Sequence, residues 1–147
     1  MGATLDPLIF TLPQPDAPSF EIRIHQEPNQ ETELHDTALV MWPASILLAR
    51  CIAHNPAMFR VNDDNVIVEL GAGCGLVGLV AASLLDCRVL LTDYNPVALQ
   101  NMDKSILLND LGENCSTVGL DFFDQEGNRD QDEEETEAAT DLDPSWV

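Results

Sequence analysis

The run Val66-Ile67-Val68-Glu69-Leu70 passes directly into Gly71-Ala72-Gly73-Cys74-Gly75-Leu76-Val77-Gly78, and no other segment restricts the possible folds as strongly. A β-branched, apolar run bounded by Asn62-Asp63-Asp64-Asn65 reads as a buried parallel strand, since such strands lose polar alternation when both faces are covered. The glycines after it open a helix. From about Gly75 to Leu85 that helix is almost wholly apolar, as expected of an element packed against a sheet.

The pattern then continues. Arg88 to Thr92 predicts a second strand, tipped by Asp93. Asn95-Pro96 supplies a cap followed by proline at the first helical position, and Val97, Leu99, Met102, Ile106 and Leu107 form a stripe of period 3.6 to about Asn109. Leu111-Gly112 is the expected stop. Cys115 to Leu120 predicts a third strand, interrupted by Gly119. The whole is an α/β chain with the βαβαβ unit of a doubly wound, Rossmann-like parallel sheet, whose crossovers are right-handed.

Upstream, Leu8 to Leu12 and Phe20 to His25 alternate like strands among Pro7, Pro13, Pro15, Pro18 and Pro28, predicting an N-terminal hairpin. Apolar residues recur at helical spacing from Leu34 to Ala53, with Pro43 suited to a first turn and Asn55-Pro56 as the stop. The expected organisation is therefore an N-terminal extension with the hairpin over residues 1–33, a partial Rossmann-like domain that begins with the Leu34 to Ala53 helix over 34–123, and a disordered acidic segment over 124–147.

Charge and cysteine usage exclude several classes. The chain carries 26 acidic and 6 basic residues, a net charge of −20. Many of the acids crowd between Asp124 and Asp143. Such a surface repels a phosphate backbone, so no direct nucleic-acid binding is expected, and a basic protein or peptide is the easier partner. Cys51, Cys74, Cys87 and Cys115 form no C-x-x-C pair, and His25, His35 and His54 lack ligand spacing; neither a disulfide framework nor a metal site is expected. Reduced thiols suit the cytosol, and also the nucleus. The N-terminus has no basic region followed by an apolar run, and Asp6 stands where myristoylation wants Ser or Thr; no signal peptide, anchor or membrane span is expected.

The glycine turn can be read in two registers. From Gly73, the residues Gly73, Gly75 and Gly78 match G-x-G-x-x-G, the dinucleotide fingerprint. From the strand end, the pattern is acid-x-G-x-G-x-G: Glu69, Gly71, Gly73 and Gly75. The second register accounts for Glu69, whose carboxylate at the tip of an apolar strand is costly to desolvate without a partner. The α-ammonium of S-adenosylmethionine is such a partner. Asp93, one βα unit later, can accept hydrogen bonds from vicinal ribose hydroxyls in either register, so it supports an adenosine-containing cofactor without choosing one.

Four segments resemble the seven-β-strand class I methyltransferases, and within them the protein-lysine branch known as methyltransferase family 16: Thr37 to Ala44 with Trp42-Pro43-Ala44, Val66 to Gly78, Leu91-Thr92-Asp93-Tyr94-Asn95, and Leu120-Asp121-Phe122. The resemblance implies that S-adenosylmethionine is the cofactor. It implies that Glu69, Gly71 and Gly73 surround the methionine portion, Asp93 the ribose, Asp121 the adenine amino group and Phe122 the adenine edge, with Trp42 beside the cofactor and Gly75 and Tyr94 also among the cofactor-binding residues. The family usually has Trp where this chain has Phe122. It also continues, after its third strand, into a fourth strand ending in an Asp-x-x-Tyr type segment that borders the transfer site. Here the acidic stretch follows instead, so no catalytic residue is assigned, and the chain is expected to hold strands 3-2-1 of the family's sheet with Val66 to Leu70 as an open edge. The expected function is methylation of protein lysine by the intact protein. Two alternatives stay open at this point: a non-catalytic module binding a basic partner, and a fragment of a NAD-binding oxidoreductase.

Overall fold

A computed structural model describes residues 6–26, 37–59 and 64–122. The acidic segment expected to be disordered lies outside them, as does His35. Strands β1 (Leu8–Leu12) and β2 (Phe20–Ile24) form an antiparallel hairpin in which Leu8 pairs with Ile24 and Leu12 with Phe20. Helix α1 (Pro43–His54) follows, then the unit β3 (Val66–Glu69), α2 (Leu76–Leu84), β4 (Arg88–Asp93), α3 (Pro96–Leu108) and β5 (Cys115–Gly119). The three later strands make one parallel sheet in the order β3-β4-β5. This is the expected α/β architecture, with β3 at the edge of the described sheet. Val68 on that strand is 50 % exposed.

The core is one continuous cluster. Leu76, Leu79 and Val80 of α2 and Met102 and Ile106 of α3 pack against Val89 and Leu91 of β4. Leu12, Ile22 and Ile24 of the hairpin are buried in the same cluster, so the hairpin is structural and not an appendage. It is also held by hydrogen bonds. The Asn109 side chain accepts from the Arg23 N–H at 2.9 Å and donates to the Arg23 carbonyl at 2.6 Å, while the His25 N–H donates to Ser105 Oγ at 2.8 Å.

The segment Thr37–His54 is apolar enough over 18 residues to pass for a membrane span by composition. Only Pro43–His54 of it is α-helix, 12 residues. At 1.5 Å per residue that is roughly 18 Å, short of the roughly 20 residues a span needs. Its Ala49, Ile52 and Ala53 are buried in the protein core.

Caps follow the sequence at one end of α3 and depart from it at the other. Asn95 Oδ1 accepts from the Val97 and Ala98 N–H groups at 2.8 and 3.2 Å, and Pro96 opens the helix as expected. The stop is not Leu111-Gly112. Asp110 takes the left-handed conformation at φ 56°, the Leu111 N–H returns to the Ile106 carbonyl and the Asp110 N–H to that of Leu107. This is a Schellman closure with an acid where glycine is the usual residue. A Cβ at Gly112, by contrast, would meet nothing within 4 Å. Asp110→Gly is therefore expected to stabilise the chain by about 0.5–1 kcal/mol, the Cβ strain relieved less the glycine entropy. Gly112→Ala should shift the urea midpoint little; measuring both midpoints checks the assignment.

Candidate functional site

Helix α2 begins with a problem that β3 solves. Its first turn has N–H groups without intrahelical partners, and its cap residue Gly75, at φ 72°, has no side chain to offer. Glu69 at the end of β3 supplies the acceptor: its Oε2 takes the Gly78 N–H at 2.8 Å. The approach requires glycine, because a Cβ at position 78 would lie 2.6 Å from that same oxygen and 3.3 Å from Val89 Cγ1. Gly78, the residue that completed the dinucleotide register, thus has a packing duty instead.

Asp93 does the corresponding work at the end of β4. Its Oδ2 accepts from the Gly73 N–H at 2.8 Å and its Oδ1 from the Asn95 N–H at 2.9 Å. The sequence suggested ribose hydroxyls as partners for this carboxylate; each oxygen takes one backbone donor and keeps further lone pairs for such hydroxyls. Gly71 and Gly73, at φ 61° and 56°, hold the turn between the two acids.

These groups converge on a single cavity of about 480 Å³. Trp42, Glu69, Gly71, Gly73, Gly75, Asp93, Tyr94, Asp121 and Phe122, the nine positions singled out from the sequence, all line it. Two kinds of wall result. Glu69, Asp93 and the backbone of Gly73 and Gly75 make the less exposed wall, and the exposed rings of Trp42, Tyr94 and Phe122, with the exposed Asp121, make the rim. Sequence reasoning missed Thr37, Ala38, Met41 and Cys74, which also line it. Thr37 and Ala38 belong to a short 3-10 turn, and their only signal was the family-like segment around Trp42.

Burial raises the Glu69 carboxyl from its ordinary 4.5 to about 7, opposed by the hydrogen bond from Gly78. Burial and the nearby Glu69 push the Cys115 thiol to about 12, so it stays neutral. Among the described residues no group of His, Cys, Asp and Glu is arranged to hold a metal ion. Cys51, Cys74, Cys87 and Cys115 are all free.

A family model described as lysine methyltransferase matches residues 19–137, most of the chain. The chain belongs to the lysine methyltransferase family. Members draw the methyl group from S-adenosylmethionine, and membership sets aside the NAD-dependent reading of the glycine turn. Among relatives, the protein-lysine methyltransferase METTL21E of Bos taurus is 39 % identical over 60 % of this chain and 28 % of its own length. The protein-lysine N-methyltransferase EEF2KMT of Homo sapiens is 34 % identical over 51 % and 22 %. The calmodulin-lysine N-methyltransferase of Arabidopsis thaliana is 31 % identical over 58 % and 28 %. The chain thus spans about a quarter of the length of these relatives. Among solved structures, TYW2 of P. horikoshii in complex with MeSAdo overlays 68 % of this chain and 36 % of its own at 22 % identity, with a TM-score of 0.45.

Proposed function

We propose that the cavity binds S-adenosylmethionine and that the chain is the cofactor-binding part of a protein-lysine N-methyltransferase. The observation that carries this reading is the convergence of Glu69, Asp93 and the glycine backbone beneath an aromatic rim in one cavity. The donor set suits the group: a carboxylate for an α-ammonium, a second for a ribose, ring faces for an adenine, and backbone without Cβ atoms between them.

When bound, S-adenosylmethionine supplies a methyl group already activated on a sulfonium. The protein's task is then to bind, orient and exclude water. Glu69 would hold the amino-acid end and Asp93 the ribose, with Tyr94, Asp121 and Phe122 around the nucleoside and Trp42 over the cavity mouth. A lysine of a protein is the proposed methyl acceptor, in keeping with the protein-lysine methyltransferases among the relatives, and a basic protein is favoured by the acidic stretch from Asp124 to Asp143. Free thiols support a reducing compartment, cytosol or nucleus.

Asp93→Ala is expected to abolish binding of S-adenosylmethionine, measured by isothermal titration calorimetry with circular dichroism as the control for folding. Binding unchanged by the substitution would refute the site. The Glu69 carboxyl gives a second expectation. Its pairing with an ammonium needs the ionised form, so affinity should rise about tenfold per pH unit up to about 7 and level off above it. The ligand-free chain should respond in the opposite sense: a carboxyl raised on folding favours the folded state at low pH, and that stability is lost as pH rises from 4.5 through about 7. Titration curves of affinity and of the denaturation midpoint check both signs.

A further inference from the structure

The 3-10 turn Thr37–Leu39 lies against the glycine turn, two contacts fasten it there, and a third braces the thiol that makes one of them. The Ala38 carbonyl fills the space over Gly73, where a Cβ would stand 2.9 Å from its oxygen. The Cys74 thiol donates to that same carbonyl at 3.8 Å. Gln26, just past the hairpin, donates from Nε2 to Cys74 Sγ at 3.2 Å. The indole of Trp42 is tied in turn to the fastened turn, its Nε1–H donating to the Thr37 carbonyl at 3.0 Å. A continuous series of contacts therefore runs from Gln26 through Cys74 and the Thr37–Ala38 backbone to the ring at the cavity mouth.

We propose that Cys74 and Gln26 are positioning residues, which hold the Thr37–Trp42 segment on the glycine turn and so set the indole of Trp42 across the cofactor cavity. The inference rests on the reading of that cavity as an S-adenosylmethionine site. It assigns a role to Gln26, which does not line the cavity, and to Cys74, which does, two residues whose types carry no methyl-transfer chemistry. The chemistry of the thiol fits. Desolvation by burial and the charge of Asp93 raise its pKa against the opposing Gln26 donor, so the sulfur keeps the proton it donates. Without the fastening, the Thr37 carbonyl that holds the indole of Trp42 is itself no longer held, and the ring is 53 % exposed.

The test uses the full chain carrying Trp146→Phe, which leaves Trp42 as the sole tryptophan of the two. Acrylamide quenching of Trp42 emission is measured without ligand, and S-adenosylmethionine affinity by calorimetry, for Cys74→Ala, Cys74→Ser and Gln26→Met. The expected result is stronger quenching and affinity weakened about three- to tenfold in Cys74→Ala and Gln26→Met, with Cys74→Ser near the parent because the hydroxyl keeps a donor in place. Gln26 is outside the core, so its variant carries the test if Cys74→Ala does not fold. Unchanged quenching in both variants overturns the proposal. So does weakened affinity with unchanged quenching, which would make Cys74 a direct cofactor contact. If the parent binds no S-adenosylmethionine, the cavity reading fails, while the ligand-free quenching still decides whether the fastening exists.

Discussion

Ile24→Ala is expected to lower the unfolding free energy of the chain by about 2–5 kcal/mol, the cost of deleting a fully buried branched side chain and leaving a void. Ile24 is 0 % exposed at the end of β2 and is packed in the cluster that α2 and α3 share with β4. Set against a stability of about 5–15 kcal/mol for a typical domain, the loss is a large fraction of the total. Urea denaturation of the variant beside the parent measures it. A drop under about 0.5 kcal/mol would mean that the hairpin is an ornament on the core and not a part of it.

Gly78→Ala separates two opposed effects of similar origin. In an exposed helix interior the change would gain about 1 kcal/mol from propensity. Here the new Cβ would sit 2.6 Å from Glu69 Oε2 and nearer still to Leu91 Cδ2, a side chain with no exposure. Overpacking of that kind costs about 1–3 kcal/mol, so the net effect is loss of stability. The carboxylate of Glu69 must also move off the Gly78 N–H, which removes both the acceptor for the first turn of α2 and the orientation of the acid in the cavity. Loss of S-adenosylmethionine binding should therefore accompany the lowered denaturation midpoint. A variant as stable as the parent with full affinity would show that the close approach has no role.

The strands, helices and order of the βαβαβ unit were readable because each rests on a local pattern. Val66 to Glu69 has no polar alternation, and Asn95-Pro96 is a cap and a first-turn proline in the right order. Of the nine cavity residues, Glu69, Asp93 and the glycines were readable from strand tips and a glycine turn, whereas Trp42, Asp121 and Phe122 came from the resemblance to the family. What escaped was set by contacts between distant segments. Nothing in the spacing of Asp93 says that its oxygens will take the Gly73 and Asn95 N–H groups, because that depends on which donors the turn leaves without partners. The stop of α3 was misplaced for a related reason. Glycine is the expected left-handed residue, and an aspartate in that conformation at position 110 is visible only from the backbone. The hairpin read as an extension because its alternation identifies an apolar face but not the surface that face meets.

The Asn109 amide gives and takes one hydrogen bond each with the backbone of Arg23, while its Nδ2 also donates to the Ser105 carbonyl. A single side chain thereby imitates the rung that a neighbouring strand would offer. The outer margin of β2 is saturated at that point by a helix terminus, and a stray extended peptide finds no vacant donor and acceptor at Arg23 on which to begin a ladder.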